Sequence, residues 1–219
     1  MDAPHLLTSI IHTLPGGLLV TLGISLLSAV AGFVIGLLLC WMRCSPLCAA
    51  HAIAGVCISA LRGIPILVVL LLLFYLPSAA GLEMPSVLAA VLALALNTGA
   101  FQAEILRAGF ASIPRGQLEA AYALGLQDLR ILRRILLPQV LGLTMPQLVN
   151  ELIILVKNSS LISVIAVTEL LRRSEQLVAV TYRPLEVYTA TAILYLAANL
   201  FIAWSGNKIH QRLIAGRAG

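Results

Sequence analysis

The stretch QLEAAYALGLQDLRILRRILLP, residues 117–138, is a charged amphipathic segment between two long apolar runs, and it decides the fold. Gly125 interrupts the segment and Pro138 closes it. Glycine is the residue that most often ends a helix in the left-handed conformation. The pattern therefore predicts a helix from about Gln117 to Leu124, a tight turn at Gly125 and a second short helix to about Leu136.

The composition of the rest of the chain is that of an integral membrane protein. Hydrophobic residues make up 60% of the 219 residues and charged residues only 11%, and the mean hydropathy is +1.01. A chain of this length holds several spans of about 20 residues each, which predicts a single polytopic domain over residues 1–219. The net charge of +5 does not indicate nucleic-acid binding, because the basic residues cluster at the ends of apolar runs.

The apolar runs predict an all-α fold with about five transmembrane helices. The predicted spans are residues 18–42, 52–76, 86–105, 138–160 and 185–204, with residues 112–138 as a cytoplasmic loop. Nine basic residues fall on the predicted inner side, including Lys208, Arg212 and Arg217 in the tail, and three on the outer side. The positive-inside rule then predicts an outer N-terminus and a cytoplasmic C-terminus.

Two of the predicted spans contain helix-breaking residues. The second is interrupted by the sequence Arg-Gly-Ile-Pro at residues 62–65, and the fourth is too long for one straight crossing. In the fourth we expect a break near residues 157–160, followed by a half-helix capped by Asn158 or Ser159. An outer link over residues 172–183 would then lead to the last span.

The spacing Glu-Ala-Ala-x3-Gly-x9-Ile-x-Leu-Pro resembles the EAA loop of the membrane subunits of ABC importers. The match holds at every specified position, namely Glu119, Ala120, Ala121, Gly125, Ile135, Leu137 and Pro138. The resemblance implies the type I ABC importer permease fold, with this loop lying as a coupling helix in a groove of a cytoplasmic ATPase. Two adjacent alanines would let the backbone of that partner approach closely. The alternative is an accidental match on an ordinary amphipathic loop.

Two further stretches resemble the branch of that family that carries polar amino acids of the His, Glu, Gln, Arg and opine type. They are LNTGAFQAEILRAGFASIPRGQLEAA, residues 96–121, and Arg-Gly-x-Pro, residues 62–65. The alternative for Arg62 is that it only extends its charged end to the cytoplasmic interface. This interpretation is compatible with a place in the family motif. The resemblance implies a bacterial inner-membrane importer with two permease subunits, identical or paired with a sister chain, two ATP-binding subunits and an extracytoplasmic binding protein.

Motifs for chemistry on this chain are missing from the sequence. Neither Lys157 nor Lys208 follows a glycine, so no phosphate-binding Gly-x4-Gly-Lys loop exists. The four histidines are scattered, and the four cysteines have no histidine at ligand spacing, which argues against a metal site. We expect no enzyme activity and no cofactor on this chain, with ATP and Mg bound by the partner ATPase. A small secondary transporter or a channel is the alternative, but neither explains the EAA loop.

Polar residues in the third and fourth spans are the candidates for a substrate path. They are Asn97, Thr98, Glu151, Lys157, Asn158, Ser159 and Ser160. An amino acid brings a carboxylate and an ammonium group into a low-dielectric setting, where each needs a partner. We expect Lys157 and free N–H groups near residues 159–160 to receive the carboxylate, and Glu151, Asn97 or Thr98 to receive the amine. The alternative is that Lys157 extends outward and Glu151 satisfies a neighbouring helix.

Overall fold

The computed structural model describes residues 3–215, with the side chains of residues 6–213. Apart from short connections between the helices, this part of the chain is helical and contains no strand, which confirms the all-α class. The α-helices are α1 (Ala3–Cys44), α2 (Cys48–Gly63), α3 (Ile66–Ala79), α4 (Ser86–Ala111), α5 (Arg115–Ala123), α6 (Asp128–Ile131), α7 (Leu137–Asn158), α8 (Leu170–Thr181) and α9 (Pro184–Ala215). The predicted domain ends at residues 1 and 219, and Arg217 of the tail, lie outside the described residues.

Four helical stretches of the described chain are long and apolar enough to cross a membrane, and a bent pair of helices makes up to five. The four stretches are Leu6–Cys44, Ser86–Ala111, Asp128–Ile165 and Pro184–Leu213. About five crossings were predicted, and this count is confirmed with the bent pair as one of them. The first helix is longer than predicted, since it continues through Pro15.

The bent pair is α2 and α3, which meet at an angle of 104°. The interruption predicted at residues 62–65 is therefore a sharp bend within the span predicted for residues 52–76. Ile64 precedes a proline and takes an extended conformation with ψ of 132°, and Pro65 has no N–H to continue the helix. Arg62 lies in the last turn of α2, directly before this bend.

The helix around Pro138 also differs from the prediction. The second short helix does not stop at Leu136, because a π-helical turn at Leu132–Leu136 joins α6 to α7 without a break. Pro138 stands in the first turn of α7, where its missing N–H costs little. The fourth crossing therefore begins inside the loop of residues 112–138, called the EAA segment from here on.

The end of α7 confirms the predicted break but not the predicted cap. The α-helix ends at Asn158 and continues as a 3₁₀ helix at Ser159–Ile165. The half-helix beyond it is capped by Glu169, whose carboxylate accepts from two backbone N–H groups, and not by Asn158 or Ser159. Most of the predicted outer link at residues 172–183 is helical, as part of α8.

Helix α4 lies at the centre of the bundle and contacts α1, α2, α3 and α7. Its interface with α1 is built from small residues. A methyl group added at Gly99 would lie 2.9 Å from the carbonyl oxygen of Gly32, and one added at Gly36 would lie 3.0 Å from that of Gly99. Small residues at such crossings let two membrane helices approach closely and gain packing contacts.

We expect Gly99→Ala to lower the free energy of unfolding by about 1–3 kcal/mol, because the added methyl group forces α1 and α4 apart. Gly23→Ala is the matched control, since a methyl group on this α1 glycine would meet nothing within 4 Å. The midpoint of thermal unfolding in detergent measures both. An unchanged midpoint for Gly99→Ala would contradict the close α1–α4 contact.

Candidate functional site

The EAA segment folds as the predicted helix, turn and helix. Gly125 has φ of +71°. Around it the Gly125 N–H donates to the carbonyl of Tyr122 at 2.9 Å, and the Leu126 N–H donates to that of Ala121 at 3.2 Å. This pair of bonds is the glycine-dependent helix end known as the Schellman motif. The left-handed cap predicted at Gly125 is therefore confirmed.

A side-chain hydrogen bond closes the same turn from outside. The hydroxyl of Tyr122, in α5, donates to Oδ1 of Asp128, the first residue of α6, at 3.0 Å. This hydrogen bond, together with the negative charge of Asp128, raises the pKa of Tyr122 above its ordinary value. The two short helices are thus tied together across Gly125.

The two alanines of the motif point in different directions. Ala121 is 2% exposed and packs inward, whereas Glu119 and Ala120 are exposed. The expectation that both alanines offer a docking face is therefore wrong for Ala121. Leu124, 79% exposed, and Leu129, 59% exposed, are large apolar side chains on the surface of the same segment.

The remaining motif residues connect the turn to the membrane helices. Ile135 is half-buried and Pro138 is exposed. Gln139 donates from Nε2 to the carbonyl of Ile135 at 3.0 Å and to Oε1 of Gln117 at 2.8 Å. The side chain of Gln139 therefore links α5 to the start of α7.

The two alanines make a matched pair for testing which residue meets a partner. We expect Ala121→Trp to unfold the segment, because its side chain enters the protein core. Ala120→Trp should leave the protein stable and should instead weaken its association with the ATPase that the resemblance implies. Thermal unfolding and co-purification in detergent separate the two effects. Normal association of the Ala120→Trp variant would exclude Ala120 from the docking face.

A second candidate site is a cavity of about 650 Å³ inside the membrane-spanning part. Its polar and charged lining comes from three places, the bend after α2, the middle of α4 and one face of α7. These residues are Arg62, Asn97, Gln147, Asn150, Glu151 and Asn158. The rest of the wall is apolar and includes Pro65, Phe101 and Pro146.

Opposite charges line this cavity on different helices. The guanidinium of Arg62 lies over the ring of Phe101, with 5.1 Å from Cζ to the ring centre. Glu151 is 5% exposed and accepts a hydrogen bond from the hydroxyl of Thr98 at 2.8 Å. Asn97 donates from Nδ2 to the carbonyl of Leu61 at 3.2 Å, which fixes its side chain beside the α2 bend.

The structure brings together some of the predicted path residues and separates others. The cavity is lined by Asn97, Glu151 and Asn158. Thr98 does not line it but donates a hydrogen bond to Glu151. Lys157 is exposed and does not line this cavity, so its place in the path stays a prediction.

The two serines after Lys157 are also placed differently from the prediction. Ser159 and Ser160 turn their hydroxyls to carbonyls of their own helix, those of Val156 and Lys157, each at 2.8 Å. Their segment continues α7 as a 3₁₀ helix, and the Ser159 N–H donates to the carbonyl of Leu155. The free backbone N–H groups expected there for a carboxylate are therefore not available at Ser159.

Asn150 and Phe101 were not among the sequence candidates, and Arg62 was not assigned to the path. For Asn150 the helical spacing offered a signal, because it lies on the same face of α7 as Glu151. This face holds residues 147, 150, 151, 154 and 158. Nothing in the sequence indicated that the α2 bend would bring Arg62 against α4. No group of three metal-binding side chains occurs among the residues the structure describes.

Comparison with known proteins identifies the class that this fold and this motif define. The sequence model of the family described as the inner membrane component of binding-protein-dependent transport systems matches residues 49–215. The chain therefore belongs to this family of membrane permeases, which places it in the inner membrane as a multi-pass component of an ABC importer.

Individual relatives cover nearly the whole chain. The arginine transport system permease protein ArtQ of Bacillus subtilis is 35% identical over 90% of both chains. The glutamine transport system permease protein GlnP of Escherichia coli is 38% identical over 90% of this chain and 91% of its own.

Two solved structures share the fold. The crystal structure of an amino acid ABC transporter with histidines matches with a TM-score of 0.89 at 32% identity, covering 97% of this chain and 99% of that one. The MetNI methionine ABC transporter in an inward-facing conformation matches with a TM-score of 0.78 at 23% identity over the same shares. The second likeness supports the fold alone.

Proposed function

We propose that this chain is the permease subunit of an importer for polar or charged amino acids, with the Arg62–Glu151 cavity as part of its path. The observation that carries the proposal is that a cation and a carboxylate line one cavity within membrane-spanning helices. An amino acid zwitterion needs one partner of each sign when it leaves water. Arg62 takes the place of Lys157 as the group that receives the carboxylate, while Glu151 receives the ammonium group.

The names of the relatives support the substrate class, since they describe permeases for arginine and glutamine. A channel or a small secondary transporter would have no use for the ordered coupling turn at Gly125. The cavity walls come from α2 to α4 and α7, and a second permease subunit, identical or a sister chain, would complete the path across the membrane.

The ATP-driven step belongs to a separate subunit in this proposal. The complex contains two copies of that ATPase, which bind ATP and Mg, and one copy docks on the exposed face formed by Glu119, Ala120 and Leu124 of this chain. A binding protein delivers the substrate to the opposite end of the bundle. The N-terminus is outside and the C-terminus cytoplasmic, so that the EAA segment and the basic end of α9 face the ATPase together.

Reconstitution tests the proposal as a whole. The permease is co-expressed with its ATPase and binding protein, placed in liposomes and supplied with a panel of labelled amino acids outside. We expect ATP-dependent uptake of one or a few polar or charged amino acids. Uptake that follows an ion gradient and needs no ATPase would overturn the proposal in favour of a secondary transporter.

A further inference from the structure

A single buried carboxylate joins three helices at the end of the bundle away from the EAA segment. Glu169, 0% exposed, caps α8. It accepts from the N–H groups of Leu171 at 2.8 Å and Arg172 at 2.7 Å. It also accepts from the hydroxyl of Tyr195 in α9 at 2.9 Å and from that of Thr21 in α1 at 3.3 Å. All four partners are donors, which is the environment that a carboxylate requires when it is buried.

Further contacts tie α8 to the same two helices. The hydroxyls of Ser174 in α8 and Thr191 in α9 lie 2.6 Å apart, and both side chains are buried. On the other side, a methyl group added at Gly17 of α1 would lie 2.8 Å from Cα of Leu170. Helix α8 is therefore fixed to α1 by close backbone packing and to α9 by a buried hydrogen bond.

The connection of α8 to the cavity helix is of a different kind. The α-helical hydrogen bonding of α7 ends at Asn158, which lines the cavity. A 3₁₀ segment follows, and Ala166 then takes a left-handed conformation with φ of +62° before Glu169 begins the next helix. Helix α8 thus follows α7 in the chain but is held by α1 and α9.

We propose that Glu169 is a positioning residue that keeps α8 fixed on α1 and α9 throughout the transport cycle. Helix α8 moves together with α1 and α9 and does not separate from them. Any rearrangement at the far end of the cavity then takes place between Asn158 and Glu169, where the α-helix is interrupted. This inference goes beyond the proposed function, since it concerns which helices move together.

A reversible cross-link between α8 and α9 tests this directly. Ser174 and Thr191 are short side chains whose oxygens lie 2.6 Å apart, which brings their β-carbons near the 3.5–4.5 Å spacing typical of a disulfide. The double variant Ser174→Cys and Thr191→Cys is made in a chain whose four native cysteines are replaced by serine. Copper phenanthroline closes the bond, and dithiothreitol opens it again.

We expect the cross-linked complex to import its amino acid at a rate within about twofold of the reduced complex, because the bond joins two helices that do not separate. Loss of import on cross-linking, restored by dithiothreitol, would show that α8 moves relative to α9 and would overturn the proposal. The reduced complex is the reference for this comparison. If the proposed substrate class is wrong, the reduced complex itself shows no amino acid import, which differs from a loss that appears only on cross-linking.

The role of Glu169 is tested in the same background by Glu169→Gln. Glutamine would place an NH₂ donor against partners that are themselves donors, so some of the hydrogen bonds that hold α8 to α1 and α9 would be lost. We expect import to fall at least fivefold. The Ser174–Thr191 cross-link should then restore import, whereas a residue needed only for folding would not be rescued. Normal import by Glu169→Gln, or no rescue by a fully formed cross-link, would overturn the role of Glu169.

If the Glu169→Gln variant does not assemble, two milder variants test the same role, namely Tyr195→Phe and Glu169→Asp. Tyr195→Phe keeps the aromatic ring and removes only the bond to α9. Glu169→Asp keeps a good helix cap but is too short to reach Tyr195. Both should lower import, with recovery on cross-linking, while the amount of assembled complex stays unchanged. Full activity of both variants would overturn the proposal.

Discussion

Replacing Gly125 by valine is expected to reduce ATP-driven import about tenfold or more. The residue has φ of +71°, and this left-handed conformation costs a residue with a Cβ atom about 1–2 kcal/mol, with branched side chains at the upper end. Because about 1.4 kcal/mol corresponds to a tenfold change in an equilibrium, the equilibrium between the ordered and the open turn would shift about tenfold towards the open form. Uptake and substrate-stimulated ATP hydrolysis in liposomes measure the effect, and both should fall together.

Gly116→Val is the matched control for this change. Both glycines lie in the EAA segment, and a methyl group added at either would meet nothing within 4 Å, but only Gly125 has a positive φ. A difference between the two variants therefore reports backbone conformation and not space. If Gly125→Val imports normally in an intact complex, the coupling role proposed for this turn is wrong.

Replacing Glu151 by glutamine is expected to reduce import about tenfold or more, with assembly and basal ATP hydrolysis preserved. A hydrogen bond to a charged group contributes about 1.5–3 kcal/mol, and glutamine keeps the size of the side chain without its charge. Arg62→Met should have a comparable effect, since it removes the opposite charge from the cavity. Initial rates of uptake over a range of substrate concentrations measure both variants.

Lys157→Met is the control that distinguishes the loss of a charge inside the cavity from the loss of a charge elsewhere on α7. Lys157 lies six residues from Glu151 on the same helix, but it is exposed and does not line the cavity. We expect this variant to import at nearly the normal rate. A stronger loss for Lys157→Met than for Glu151→Gln would return the path to the site predicted from the sequence and would reject the Arg62–Glu151 cavity.

The turn at Gly125 could be predicted because its cause is local. A glycine after a short amphipathic helix can take a positive φ without strain, and the bonds that close the turn join residues only a few positions apart. The number of crossings was predictable for a related reason. Each apolar run must satisfy its backbone hydrogen bonds within itself, so its length and composition nearly determine a membrane helix.

The direction of individual side chains was not predictable in the same way. Ala120 and Ala121 are identical in chemistry, but the first is exposed and the second is buried. Lys157 looked like a path residue because it stands beside a helix break, whereas Arg62 reaches the cavity only because the 104° bend places it there.

The sequence alone thus determined the class of protein, the turn at Gly125 and the approximate spans, because these depend on local hydrogen bonding and on the apolar character of each run. Only the tertiary structure decided that Arg62 faces Glu151's cavity and that Glu169 caps α8. The Glu169 carboxylate meets Thr21, 148 residues away in the chain. Contacts of that kind depend on how the helices pack, and no local pattern encodes them.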